Sequence, residues 1–561
     1  MKAAKNGRTA ERAKFGAAQW PVQLASAASI DEPLQDGGPW IVSINSVPKA
    51  RVSADVAAVL KAVDGRKDPA HVAQQLGQPW TAADVMGVVR HLAHTGIFDV
   101  GARQGTTRRL QFKAPLTLQL TLFNPAPFLQ FLRPGAAALI RPSSAVLLGA
   151  LLCGGIVGAA GASQSIWRVL SEPLPLEAYL MVAVAMFVST LLHELGHGMA
   201  LTYFGGTPRR IGIMLFYFSP AFFCDVTDGW RLHSRRQRVL VALAGPFVHL
   251  LLGSVALAGQ ALLAASSAKD ATILYGAICY AVAILNLFPF IKLDGYVALM
   301  SAVDIPHLRQ KSVEALAELV SHRVLGSAPS FRSKGILPWF GLASFISGIA
   351  FMVVGFQRLV PIFLQLGLAG YVAVFLALGL MVVQVVKAAA RFFLSAARQG
   401  SPRWRRWGVL AGTLAVGALL LLIPVKPETV AGYTVVHGEL RIVVPLEASN
   451  QHLDAGDHVA LQSQGMIIHR NLGTATVGDQ PPSNSTAPLE TVVPVHFGRT
   501  SLAVAAYPGI LTNAANLPAS GRAVVESQRQ TTLAQWLWET AADSPLWPRT
   551  GQTHQPTKGQ P

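Results

Sequence analysis

The sequence predicts a multi-pass α-helical membrane protein of about seven spans, with an N-terminal winged-helix-like domain and a small C-terminal β-domain. Three observations carry that expectation. The 561 residues are 51% hydrophobic and only 13% charged, where soluble chains carry about 25% charged residues. Apolar runs of about 20 residues recur, the length that crosses a bilayer as a helix. The net charge of +17 gathers in short loops beside those runs, as at Arg209–Arg210, Arg235–Arg236 and Arg403–Arg406. Cytoplasmic loops of membrane proteins are charged in this way. No aromatic RNA-binding signature accompanies the charge, so nucleic acid is excluded as a partner.

Residues 1–35 read as a disordered basic arm. Lys2, Lys5, Arg8, Arg12 and Lys14 are not followed by the apolar core of a signal peptide. Residues 36–110 form the expected winged-helix-like domain. Trp40–Ile44 reads as a strand, and Ser53 opens a helix carrying Val56, Val59, Leu60 and Val63 on one face. Asp68-Pro69 opens a second helix, with the aspartate as cap and proline in the first turn. Thr81 opens a third with Val85, Val88, Val89 and Leu92, closed by Gly96, and Ile97–Val100 reads as a strand.

The membrane domain is expected over 115–425. Its first stretch, 115–134, is apolar and aromatic but broken by Pro125 and Pro127, and is predicted on the membrane surface. Spans are predicted near 143–163, 178–204, 237–265, 271–291, 337–358, 366–390 and 406–424. Ile211–Phe223 is short, aromatic and contains Pro220, so it reads as a re-entrant strand or hairpin shielded by helices. Basic loops precede the first span and follow the second, fourth and sixth. That pattern predicts a bacterial inner-membrane protein with its N-terminus in the cytoplasm and, after seven spans, its C-terminus outside. Beyond residue 425 there are eight Lys/Arg against ten Asp/Glu, unlike the rest of the chain. Short alternating runs over 426–545 predict a β-sandwich or barrel, and 546–561 reads as a disordered tail. Cys153, Cys224 and Cys279 all sit in apolar surroundings and suggest no disulfide framework.

The chemistry concentrates in two motifs. His193-Glu194-Leu-Gly-His197 puts two imidazoles one helical turn apart on one face, where they can bind one zinc ion. Glu194 is one residue on and can reach a metal-bound water. The preceding run, Met181–Leu192, is apolar apart from Ser189 and Thr190. Ionisable groups are costly in such a segment unless they function or pair, and a plain buried His–Glu pair is the alternative. The second motif is Asn286-Leu-Phe-Pro289-Phe-Ile-Lys-Leu-Asp294-Gly295. Asp294 can complete a two-histidine, one-carboxylate zinc site with an open fourth position for water, or simply cap a turn. Asp225 and Asp228 read as turn or capping residues, with a part in shaping the entrance as the alternative.

Together these motifs resemble the site-2 protease (M50) family of intramembrane zinc metalloproteases, over roughly residues 115 to 400. "NLFPFIKLDGY", "IPHLRQKS" and "PAFFCDVTDGWRLHSRRQRVLVALAGP" look closest to its peptide zinc metalloprotease branch. The second motif lacks the additional proline common in the family. The resemblance implies one zinc ion held by His193, His197 and Asp294, with Glu194 as general base and Asn286 contacting substrate or oxyanion. The run "VSADVAAVLKAVDGRKDPAHVAQQLG" with "VMGVVRHLAHTGIFDV" resembles PqqD-type domains, which implies a bound leader peptide. A small helical domain without a ligand stays open beside it. The C-terminal strands are faintly similar to HlyD-type adaptors, and a plain extracytoplasmic β-domain stays open too.

The expected function is a zinc-dependent intramembrane endopeptidase acting on a membrane-associated or ribosomally made precursor peptide, in contact with the bilayer and with a peptide exporter as partner. The alternatives are a non-proteolytic peptide transporter or export adaptor, and a metal sensor or permease. An intact Glu194 disfavours the former, because binding a metal needs no base. The latter lacks a chain of intramembrane acids.

Overall fold

The computed structural model describes residues 22–542 apart from 26–27, 34–37, 45–46, 96, 99–109, 114–116, 140, 217–218, 328–334, 365, 427, 447–452, 499, 515–516 and 528–529. The expected tail at 546–561 and the first part of the basic arm lie outside these residues. The arm was expected to run to residue 35, and it does not. Its later residues form β1 (Ala28–Asp31), which pairs antiparallel with β2 (Trp40–Ile44), and β2 pairs with β3 (Val47–Val52). Four residues of main-chain pairing are enough to order a segment whose composition alone reads as polar and aperiodic.

Three helices complete this N-terminal layer. Ser53 caps α1 (Ala54–Ala62) by accepting from the Val56 N–H. Asp68 caps α2 (Pro69–Leu76) by accepting from the His71 N–H at 2.8 Å, with Pro69 in the first turn. Thr81 and Asp84 close a reciprocal capping box on α3 (Ala82–Leu92). Of the expected apolar faces, Val59, Leu60, Val85, Val89 and Leu92 lie in the core, packed with Val42, Val72, Ile97 and Phe98. Ile97–Val100 is not a strand over its described part; Phe98 makes one isolated bridge to Leu24.

The 115–134 stretch is only partly a surface segment. β4 (Leu110–Lys113) and β5 (Thr117–Phe123) precede α4 (Ala126–Leu139), and β5 pairs with a later hairpin instead of lying free. Alternating Leu118, Leu120 and Leu122 suits a strand, a period hidden among prolines in the sequence. α4 does expose Phe128, Phe131 and Leu132, as an interfacial helix would.

The following helices are α5 (Pro142–Gly161), α6 (Ser163–Ser171) and, after the short β6 (Leu174–Pro175), the 28-residue α7 (Leu176–Tyr203). β7 (Ile211–Phe216) and β8 (Ser219–Cys224) form the expected hairpin. It joins a four-stranded sheet in the order β4-β5-β7-β8, so β8 is an edge. α8 (Arg235–Gly259), α9 (Ser267–Asn286) and α10 (Asp294–Val303) follow, then α11 (Leu308–Leu325), α12 (Leu337–Leu364), α13 (Leu368–Arg398) and α14 (Arg403–Leu421).

Six of the described helices, not seven, are long and apolar enough to cross a membrane, as a multi-pass membrane protein requires: α5, α7, α8, α9, α12 and α13. The expected seventh span, 406–424, falls on α14. Its first turn holds Arg403, Arg405 and Arg406, which lowers its apolarity. The fourth span also ends earlier than expected, at Asn286, because Pro289 cannot continue the helix.

The chain divides into two compact units. One comprises Met1–Gly161, Val182–Leu263 and Tyr275–Pro306. Within it, Arg51 and Arg238 both reach Asp304, at 3.0 and 2.7 Å, and Arg209 reaches Asp31 at 3.8 Å. Asp304, just after α10, thus ties β3 to the start of α8, and Asp31 ties β1 to the loop before β7. The other unit comprises Ala162–Met181, Ala264–Leu274 and His307–Pro561. Its C-terminal part is largely β. After β9 (Pro424–Val425) come β10 (Glu428–Val436), β11 (Glu439–Pro445), β12 (His458–Gln462), β13 (Asn471–Val477), β14 (Ser483–Pro488), β15 (Val495–His496), β16 (Ser501–Ala514), β17 (Ser520–Glu526) and β18 (Thr531–Thr532). The order β11-β10-β17-β12-β13-β16 closes on itself through β11–β16 pairing, making a barrel with β14 added to β16. His437 and Gly438, both at positive φ (52° and 83°), turn the β10–β11 hairpin with the hand that strand twist favours. A last helix, α15 (Leu533–Ala542), follows the barrel.

Candidate metal centre

His193 and His197 lie on α7, one turn apart, and each is only 6% exposed. Asp294 is the first residue of α10 and half-buried, where a carboxylate also interacts well with the helix N-terminus. The donor atoms of the three residues all lie within 4.8 Å of one another. The Nε2 atoms of the histidines are 3.2 Å apart. Asp294 Oδ2 is 3.0 Å from His193 Nε2, and Oδ1 is 3.3 Å from His197 Nε2.

Two glycines permit this convergence. A Cβ on Gly245 of α8 would stand 2.4 Å from His197 Nε2 and 2.5 Å from His193 Nε2. A Cβ on Gly295 would meet the Leu287 carbonyl oxygen at 2.1 Å, so glycine lets α10 fold back against the end of α9 and deliver Asp294.

The far nitrogens of both imidazoles are engaged. His197 Nδ1 lies 2.7 Å from the Val241 carbonyl oxygen and donates to it, since a carbonyl can only accept. That leaves the His197 Nε2 lone pair turned toward Asp294. His193 Nδ1 lies 2.8 Å from Nδ1 of His249, on α8.

This donor set fits zinc. Bonds of about 2.0–2.2 Å in a tetrahedron set neighbouring ligand atoms about 3.3 Å apart, which the 3.0–3.3 Å separations match. Two neutral nitrogens and one carboxylate are a zinc-type set, and three protein ligands leave one position open, as catalytic sites do.

Glu194 follows His193 on α7 and its Oε2 accepts from the Cys224 N–H at 2.8 Å. The carboxylate is thereby tied to the end of β8. Asn286 ends α9, half-buried, eight positions before Asp294, and is not part of the three-residue group. Asp225 pairs with Arg210 at 2.9 Å and with Thr227. Burial works to raise its pKa, but the bonds from Thr227 and Arg210 outweigh this and hold it below the usual value. Asp228 is buried, accepts from the Thr207 N–H at 2.9 Å and pairs with Arg231 at 3.1 Å. Both aspartates thus brace the loop that carries the hairpin.

His249 escaped the sequence reading. Its signal was available: a histidine within the apolar run that follows Arg238 in α8, where an ionisable side chain is costly. Gly245 escaped too, because a glycine among Ala244 and Pro246 looks like ordinary helix packing.

Comparisons with known proteins bear on this centre. Residues 181–272 match the model of Peptidase family M50. The chain is 28% identical over 129 residues to "Putative peptide zinc metalloprotease protein YydH" of Bacillus subtilis, covering 23% of this chain. It spans 49% of that relative's length, about half. It is 31% identical over 234 residues to "Putative zinc metalloprotease Rip2" of Mycobacterium tuberculosis, covering 36% of this chain and 86% of that protein. No solved structure matches the chain.

Proposed function

The chain belongs to peptidase family M50, and on that premise we propose that it is a zinc-dependent intramembrane endopeptidase. His193, His197 and Asp294 are its zinc ligands and Glu194 its general base. The observation that carries the reading is the convergence of those three donors on one point, with Glu194 tied beside it. Zinc, when bound there, supplies positive charge that polarises a carbonyl and acidifies water. Glu194 keeps Oε1 available while Oε2 is held by the Cys224 amide. It takes a proton from the attacking water and returns it to the leaving amine, the part a general base plays. Asn286, on the same motif as Asp294, contacts substrate or oxyanion.

The substrate is a peptide segment of a membrane-associated or ribosomally made precursor. A helix hides its own peptide bonds, so the cut segment must be extended. The free edge of β8, whose last residue holds Glu194, suits main-chain pairing with such a segment. The N-terminal domain presents the precursor, a role favoured by β1 and β3 being the outer strands of its three-stranded sheet.

The N-terminus is cytoplasmic and the barrel extracytoplasmic. Supporting this, β15 pairs in parallel with β6, and Tyr179 donates to the Pro494 carbonyl at 3.0 Å. β6 lies in the loop between the first two spans, on the side opposite the basic loops. A barrel on that side requires α14 to cross the membrane, with its three arginines at the cytoplasmic end.

The test is a pair of variants in the purified full chain. Glu194→Gln should retain zinc and lose cleavage, and His193→Ala should lose both. Continued maturation of a co-expressed precursor by Glu194→Gln, followed by mass spectrometry, would overturn the protease reading.

A further inference from the structure

We infer that His249 is a positioning residue that sets the tautomer of His193 and so prepares its Nε2 as a metal donor. The inference rests on the zinc-site reading above and extends it to a residue outside the motifs. His249 is one turn beyond Gly245 on α8, so the stripe that makes room for the two ligand histidines also carries this third one. It is only 2% exposed. Its Nδ1 is 2.8 Å from His193 Nδ1, with ring centroids 4.8 Å apart and planes tilted by 58°.

Proton counting assigns the roles. Two nitrogens at 2.8 Å share one proton, so one donates and the other accepts. If His193 is to offer a lone pair at Nε2, its ring proton must sit on Nδ1. His249 Nδ1 is then the acceptor, and its own proton sits on Nε2. If instead His249 donates from Nδ1, neutral His193 carries its proton on Nε2 and hydrogen-bonds Asp294 Oδ2, 3.0 Å away. The two arrangements are tautomers with equal numbers of protons: from the second to the first, one proton passes from His249 Nδ1 to His193 Nδ1, one leaves His193 Nε2 and one joins His249 Nε2, while Asp294 stays a carboxylate. The first suits a loaded site and the second an empty one. His249 Nε2 is buried and has no acceptor among the described residues. An unpaired nitrogen there is costly to bury in either tautomer, so burial alone does not choose between the two arrangements.

Two substitutions separate the acceptor from mere packing. The Asn side-chain oxygen can occupy the place of Nδ1, so His249→Asn keeps an acceptor for His193. His249→Leu fills space but leaves the His193 N–H unpaired. Zinc affinity of the full chain in detergent is measured by competition with a chromophoric chelator. Loss of an outer partner typically weakens a metal about 10–100-fold. His249→Leu should show that loss, and His249→Asn should stay within about tenfold of wild type. Equal affinity of wild type and His249→Leu would overturn the inference, as would His249→Asn being as weak as His249→Leu.

If His249→Leu does not fold, wild type still decides the matter. Nitrogen NMR of ¹⁵N-histidine protein should show His249 protonated on Nε2 once zinc is added, and protonation on Nδ1 in the zinc form would refute the assignment. A wild-type chain that takes up no zinc at all would instead remove the zinc-site reading itself.

Discussion

Replacing Gly245 with alanine adds one methyl group at the point where the proposed ligands meet. The new carbon would stand 2.4 Å from His197 Nε2 and 2.5 Å from His193 Nε2. Ordinary heavy-atom contact is about 3.5 Å, so the imidazoles or α8 must move by about 1 Å. Zinc–ligand distances hold to about ±0.2 Å, so the displacement exceeds that tolerance several-fold. His197 cannot simply swing away, because its Nδ1 is tied to the Val241 carbonyl one turn before Gly245. Overpacking of this kind costs about 1–3 kcal/mol of stability, which a membrane protein of this size should survive. Gly245→Ala should therefore fold but hold little zinc. The assay is zinc per chain by elemental analysis after purification, beside a thermal melt. Gly149→Ala is the control: it lies inside α5 with nothing within 4 Å of an added Cβ, and should load zinc like wild type. A Gly245→Ala chain that carries one zinc as firmly as wild type would refute the idea that this glycine shapes the metal cleft.

Other outcomes follow from the same geometry. Gly295→Ala should lose zinc and stability together, because its Cβ would strike the Leu287 carbonyl and push Asp294 away; zinc content and melting temperature both read it. Glu194→Gln should cut turnover by about 10²–10⁴-fold at unchanged zinc content. In the N-terminal domain, backbone bonds from Arg66 and Lys67 hold Asp64 below its ordinary pKa of 3.8; Asp68 is likewise lowered by His71, and Asp84 by Thr81. A lowered folded-state pKa stabilises above the unfolded value and is lost as pH falls through the folded one. Hydrogen exchange of α1–α3 amides should thus quicken as pH drops below about 4 once the intrinsic pH dependence is divided out; a flat corrected profile would deny these aspartates a role. Finally, with the three natural cysteines changed to alanine, Gln164→Cys and Asn484→Cys should react with an impermeant thiol reagent from the same side of the membrane. Labelling from opposite sides would contradict the proposed crossing by α14.

Much of the centre was legible because it is local. The two histidines are one helical turn apart, so sequence spacing alone puts them on one face. Span lengths follow largely from apolar runs. Three caps in the N-terminal domain, Ser53, Asp68 and Thr81, were readable for the same reason: each bonds an amide only three residues away. What only the tertiary structure decided involves partners far apart in the chain. His249 meets His193 across 56 positions, Asp294 across 101, and the Cys224 amide finds Glu194 across 30. Barrel closure by β11 and β16, and the pairing of β5 with β7, are equally non-local. Helical periodicity constrains neighbours within a turn or two. It carries no information on which face of α8 approaches α7, and that approach is what makes Gly245 and His249 part of the site.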